Sequence, residues 1–160
     1  MTKDERNYIA YVYNMILGGG SLDTKLYTRL RGDNSLCYNC SSIYQKFDNL
    51  IILHTAISKE NEILAIKLMK KALLDMENGN ITEEEIDNAK QLIITTLDMS
   101  LDVPGKIIDN YLFKNLYGLD EIEIRKERYK KVKKEDIIKF AKKIKINTIL
   151  CTKDNYNGKD

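Results

Sequence analysis

Apolar positions near the start of the chain recur at helical spacing. Ile9, Val12, Tyr13 and Ile16 predict an amphipathic helix over residues 7–17. Gly18, Gly19 and Gly20 are expected to end it, since glycine supplies the positive φ that many helix stops need. Leu26, Tyr27 and Leu30 then share one side of a second short helix, 24–30, with Asp23 as its expected cap. The cluster Gly32-Asp33-Asn34-Ser35 reads as a turn. Beyond it the period changes. Residues 36–47 and 50–57 read as strands, and Asp48-Asn49 between them signals a tight turn, hence an antiparallel hairpin. The run "LIILHTAI" is continuously apolar, as expected of a strand buried on both faces.

Helical spacing then returns. Residues 59–77 place Ile66, Met69, Leu73 and Met76 on one face, and Asn78-Gly79-Asn80 stops the helix. "TEEE" at 82–85 is a capping box, in which Thr82 and Glu85 satisfy each other's backbone N–H groups. The helix it opens runs to about residue 101, with Ile86, Ala89, Ile93 and Leu97 inward. Pro104-Gly105 breaks the chain before a helix over 106–116. Two shorter helices, 121–132 and 135–144, precede a last strand over 145–152. The order is helix, hairpin, a block of helices, strand. That predicts an α+β fold, a two-layer sandwich with helices packed on a mainly antiparallel sheet.

Composition narrows the class. A chain of 160 residues, 43% hydrophobic and 31% charged, suits one globular domain. A net charge of +2 gives no global drive toward nucleic acid. No stretch is apolar for long enough to span a bilayer, and no signal peptide is visible. Three cysteines without an export signal fit a reducing cytoplasm better than a disulfide scaffold.

Several stretches could carry chemistry. "GGGSLDTK" lacks the Gly-Lys-Ser/Thr ending of a phosphate loop and follows a helix rather than a strand, so a flexible connection is the plainer reading. A glycine run also lets a peptide backbone come close. Cys37 and Cys40 have metal-ligand spacing, but positions three apart in a strand face opposite sides, and completing a site would need His54 and Cys151 from other strands. His54 is the single histidine, expected as a hydrogen-bonded core or interface residue. With one histidine, neither H-E-x-x-H nor H-x-x-E-H can occur. The basic run from Arg125 to Lys145 could bind RNA or an acidic surface, but it reads more simply as a solvated helix face over Ile137, Ala141 and Ile144. Arg31 and Tyr38 remain. They could form a surface salt bridge and a packed ring, or together offer a charged fork and a hydroxyl that hold a peptide carbonyl.

The order of these pieces carries a resemblance. "NMILGGGSLDTKLYTRLRGDNSLCY" resembles the non-catalytic half of the insulinase/pitrilysin metallopeptidases, which include the mitochondrial processing peptidases. That half reads as an apolar helix, "LGGG", an "RLF/RLY"-like segment, "LRE" and "LAY" or "LGY"; here the counterparts are Leu17 to Gly20, "KLYTRLR" and "SLCY". "GNITEEEIDNAK", the "SLDVPGK" break and "VKKEDIIKFAKKI" extend the likeness over almost the whole chain. "SLCY" is most similar to bacterial cytoplasmic members that act with a zinc-bearing partner.

The resemblance implies a processing-peptidase-like half-domain that encloses a chamber with a second half. The other half would carry the inverted zinc motif. This chain would hold no metal or cofactor and would be inactive alone. Arg31 and Tyr38 match an Arg/Tyr pair that reaches across to substrate beside the partner's zinc, as auxiliary catalytic residues. Gly18, Gly19 and Gly20 fall where processing-peptidase subunits carry a substrate-binding glycine loop. The implied partners are a zinc-motif half and a peptide, with no nucleic acid and no membrane; the implied compartment is the cytoplasm. The alternative is a catalytically inactive peptide-binding or assembly module of the same fold. The family domain begins with a strand before its first helix, and this chain opens on the helix. It is therefore expected to be a single domain over 1–160, a segment of a longer chain lacking its first strand, with a sheet edge open to self-pairing as a homodimer.

Overall fold

The computed structural model describes residues 1–20 and 22–152. Among them are seven helices, a 3₁₀ turn at Lys59–Asn61 and one hairpin. Helix α1 (3–19) is continuous, with π-helical turns at Glu5–Ile9 and Met15–Gly19 on either side of an α-helical Ala10–Asn14. Helix α2 (25–32) also ends in a π-turn, Thr28–Gly32. Strands β1 (Cys37–Gln45) and β2 (Leu50–Ile57) follow, then α3 (Glu62–Glu77), α4 (Glu83–Ser100), α5 (Pro104–Tyr117), α6 (Ile122–Lys130) and α7 (Lys134–Ala141).

Helix α1 is the centre of the core. Tyr8, Ala10, Val12, Tyr13, Ile16 and Leu17 are all buried, more than one amphipathic face can account for. One side of α1 meets β1, and another meets α4, α6 and α7. Tyr8 and Tyr13 make edge-on ring contacts with Tyr129 and Phe140, at centroid distances of 5.3 and 5.2 Å. Helix α4 matches its sequence pattern: Ile86, Ala89, Ile93 and Leu97 are buried. Its capping box is present, with Thr82 Oγ1 accepting from Glu85 N at 3.1 Å and Glu85 Oε2 accepting from Thr82 N at 2.8 Å. In α3 the buried stripe is turned by about one position. Ala65, Ala72, Asp75 and Met76 are buried, while Ile66, Met69 and Leu73 are half-buried. The inward turn of Asp75 answers a need elsewhere: it receives Arg29 from α2, with Arg29 Nη2 2.6 Å from Asp75 Oδ2.

The hairpin is antiparallel, with Cys40 opposite Thr55, Ser41 opposite His54 and Gln45 opposite Leu50. A β-bulge lies between Cys37 and Cys40. Cys40, Ser42 and Tyr44 of β1 are buried under the helices. Strand β2 is not buried on both faces as its apolar run predicts. Ile51, Leu53, Thr55 and Ile57 are half-buried and alternate with exposed Leu50, Ile52, His54 and Ala56. Helices cover only one face of the sheet, so the period-two alternation of side chains returns half of the run to solvent. The last expected strand is also absent. Residues 145–152 join no ladder, and among the described residues the sheet contains only β1 and β2. A strand is held by hydrogen bonds to a neighbour, and no described strand runs beside this segment.

Candidate functional site

The first corrections concern how the glycines and the helix cap work. Gly18, Gly19 and Gly20 do not take positive φ; among the described glycines only Gly79 and Gly118 do. The three are small because α1 ends in close packing. A Cβ on Gly18 would lie 2.6 Å from Leu26 Cδ1 and 2.9 Å from the Ser42 backbone nitrogen. One on Gly19 would lie 2.2 Å from Asn14 Nδ2, and one on Gly20 2.8 Å from the Met15 carbonyl oxygen. At Gly18 backbone meets backbone where α1 reaches β1, and only glycine permits it there. Asn14 and Ser42 fasten the same junction: Asn14 Nδ2 donates to the Ser42 carbonyl at 3.3 Å, and Ser42 Oγ donates to the Asn14 carbonyl at 3.2 Å. The cap of α2 is Thr24 rather than Asp23. Thr24 has extended backbone angles, and its hydroxyl accepts from Tyr27 N at 3.3 Å.

Arg31 and Tyr38 do converge. Arg31 lies in the π-turn that closes α2, and its Nη1 donates to the Tyr38 carbonyl at 2.9 Å. Its guanidinium carbon stands 5.3 Å from the Tyr27 ring centre and 5.4 Å from the Tyr38 ring centre. Two aromatic rings thus flank one cation. Tyr38 sits in the bulge of β1 and is 90% exposed. Bulges re-aim side chains out of the regular pleat, and this one turns the Tyr38 ring toward solvent rather than under the helices. Gly18, Gly19, Gly20, Arg31 and Tyr38 all line one open cleft of about 470 Å³. Its further lining includes Tyr27, Cys40 and Ser42. The arrangement presents a fixed guanidinium, an exposed phenol and bare backbone to whatever enters. Those groups suit a peptide main chain, which offers carbonyl acceptors and needs close approach. Sequence reasoning missed Tyr27, although its spacing of four from Arg31 is the helical neighbour relation that could have shown it. The Asn14–Ser42 pair carried no local signal, because it joins a helix to a strand 28 residues away.

The cysteine expectation changes in geometry. The bulge sets the Cys37 and Cys40 thiols against each other instead of on opposite faces. Burial, followed by the adjacent Cys37, pushes the Cys40 thiol up to about 12, so it stays protonated near neutrality. His54 is not a core residue in this fold. It stands on the open face of the sheet, with its Nε2 2.9 Å from Ser41 Oγ. Among the described residues, no group of three or more His, Cys, Asp or Glu side chains is placed to hold a metal ion. In the basic run from Arg125 onward, Lys126 pairs with Asp98 and Glu123, Arg128 with Asp4, Lys130 with Glu127, and Lys143 with Glu5. No helix among the described residues is long and apolar enough to cross a membrane.

The fold is a set of helices on an antiparallel hairpin, without a metal-ligating cluster among the described residues. The model of the peptidase M16 inactive domain matches residues 1–93, and the chain belongs to that family. A curated relative, "Probable inactive metalloprotease YmfF" of Bacillus subtilis, is 28% identical over 151 residues, covering 92% of this chain and 35% of its own. A conserved protein from Enterococcus faecalis V583 shares the fold with a TM-score of 0.81 at 24% identity, over 86% of this chain and 32% of that one. The peptidase M16 inactive domain from Pseudomonas fluorescens gives a TM-score of 0.70 at 20% identity, over 86% of this chain and 33% of that one. The chain therefore spans about a third of the length of these relatives.

Proposed function

We propose that this domain is the non-catalytic, substrate-binding half of an insulinase-family peptidase, completing the peptide chamber of a zinc-bearing half. One observation carries the reading. Arg31, Tyr38 and the three glycines, far from equivalent in the sequence, line the same cleft. Gly18 packs the end of α1 against β1, and the backbone of Gly19 and Gly20 accepts an extended peptide at close range. The Arg31 guanidinium and the Tyr38 hydroxyl donate hydrogen bonds to the carbonyl oxygen of that peptide as negative charge develops on it. The zinc-bearing half would hold the metal and supply the hydrolytic chemistry. The domain is read as one segment of a longer assembly, consistent with its share of the relatives' lengths.

The test is reconstitution. A quenched fluorescent peptide library is incubated with this chain, with a zinc-motif partner from the same source, and with both. Cleavage by the mixture beyond that of the partner alone supports the reading. In that mixture Arg31→Ala lowers turnover by about 10²–10³, the usual effect of losing one such donor. Undiminished turnover with Arg31→Ala removes Arg31 from the reaction. The second reading, an inactive peptide-binding or assembly module, is favoured by the inactive relative from Bacillus subtilis. It predicts saturable peptide binding and no cleavage in any mixture.

A further inference from the structure

A second open cavity lies at the far end of β1, between α1, α4, α5 and α6, with a volume of about 740 Å³. Its walls are aromatic: Tyr11, Tyr44, Phe47, Phe113 and Tyr129 line it. Volume and lining are those of a small-molecule site, which needs a few polar groups set in an apolar wall. Two cations supply part of that set. Lys46 and Arg125 both line the cavity. Arg125 is held in place, its Nη1 donating to Asn110 Oδ1 at 3.0 Å.

Lys46 is in a different situation. Among the described residues its ammonium has neither a hydrogen bond nor an ion pair; its near neighbour is the Phe47 ring, 5.9 Å from nitrogen to ring centre. Burial pushes its pKa down to about 8, and Arg125, Arg6 and Lys3 add repulsion. Asp120 is the carboxylate that works the other way, and it is already engaged by the Tyr8 hydroxyl and lies 3.9 Å from Lys3. Asp109, also on the cavity wall, lies 3.7 Å from Lys106. The positive charge around Lys46 is thus under-compensated.

We infer that this cavity binds a small organic carboxylate with an apolar body: Lys46 and Arg125 take the carboxylate, and the rings of Tyr11 and Phe113 take the body. The site stands at the opposite end of β1 from the Arg31 cleft and does not depend on the peptidase reading.

The experiment is calorimetric titration of the whole chain at neutral pH with N-acetylphenylalanine and with its uncharged carboxamide. The two probes share body and N–H and differ in the charged end. The acid is expected to bind saturably, and the carboxamide about tenfold more weakly or worse, as loss of a charge-assisted hydrogen bond implies. Lys46→Gln is expected to weaken the acid by a similar factor and leave the carboxamide unchanged, while Lys46→Arg retains binding of the acid. Equal affinity for acid and carboxamide overturns the inference, as does an unaffected Lys46→Gln variant or no saturable binding at millimolar probe. Should Lys46→Gln fail to fold, the comparison of acid and carboxamide on the wild-type chain decides alone.

Discussion

The two ends of β1 are built in opposite ways. Where α1 meets the strand the packing is tight. Gly18 rests on the Ser42 backbone, Asn14 and Ser42 exchange hydrogen bonds, and Arg29 is tied to the buried Asp75 of α3. At the other end Lys46 lacks an ion pair among the described residues, and α5 has no fully buried residue. Ile108, Tyr111 and Leu116 of α5 are each more than half exposed. Close packing is confined to one side of the hairpin, where Arg31 Nη1 also donates to the Tyr38 carbonyl. The open end keeps an aromatic cavity that is only partly filled.

The difference can be broken most sharply at Gly18. Gly18→Ala forces a methyl into the Leu26 and Ser42 contacts and is expected to destabilise the domain by about 1–3 kcal/mol, the usual range for overpacking. The midpoint of urea unfolding reads this. Asp75→Ala comes next. It leaves Arg29 without its carboxylate and Asn80 Nδ2 without its 3.2 Å acceptor. Because Arg29 is partly solvated, about 1–2 kcal/mol is expected rather than the full cost of a buried charge. Arg31→Ala, two residues on, should change stability much less than Asp75→Ala, and the two midpoints together separate the structural arginine from the presenting one.

The open end responds to pH and hardly at all to added bulk. With its folded pKa depressed to about 8, Lys46 is penalised while charged, and that penalty is fully present below pH 8. As pH rises from about 8 toward the ordinary lysine range, the folded state gives up the proton first and the penalty is relieved. Lys46→Gln should therefore gain on the wild type below pH 8, with the gap narrowing above it. Unfolding midpoints of both proteins across that range would show parallel curves if Lys46 were unperturbed. The smallest effect is expected at Gly105, where a Cβ meets nothing within 4 Å. Gly105→Ala should stay within about 0.5 kcal/mol of wild type, as surface substitutions usually do. Thermal melts of Gly18→Ala and Gly105→Ala side by side give the contrast with identical chemistry.

Local pattern made the helices and the hairpin legible. The capping box at Thr82, the inward face of α4 and the bounds of β2 all follow from spacing and turn residues within a few positions. The candidate site was legible only as a set of residues. Arg31 and Tyr38 could be named from their order in the chain, but the cation flanked by two rings could not, because a bulge has no fixed sequence mark. The same bulge explains why the Cys37 and Cys40 geometry was misjudged: strand alternation holds only while the ladder is regular.

What the chain determined by itself is therefore periodic and local: which segments coil, where they stop, that two strands pair, and that a single histidine excludes a two-histidine zinc motif. Tertiary structure decided the rest. It set the role of the glycines, since backbone contact between α1 and β1 exists only once the two are packed. It returned half of an apolar strand to solvent, since burial of a sheet face depends on what lies across it. It also gathered cations and rings at the far end of β1, from segments whose separation in sequence conceals any common site.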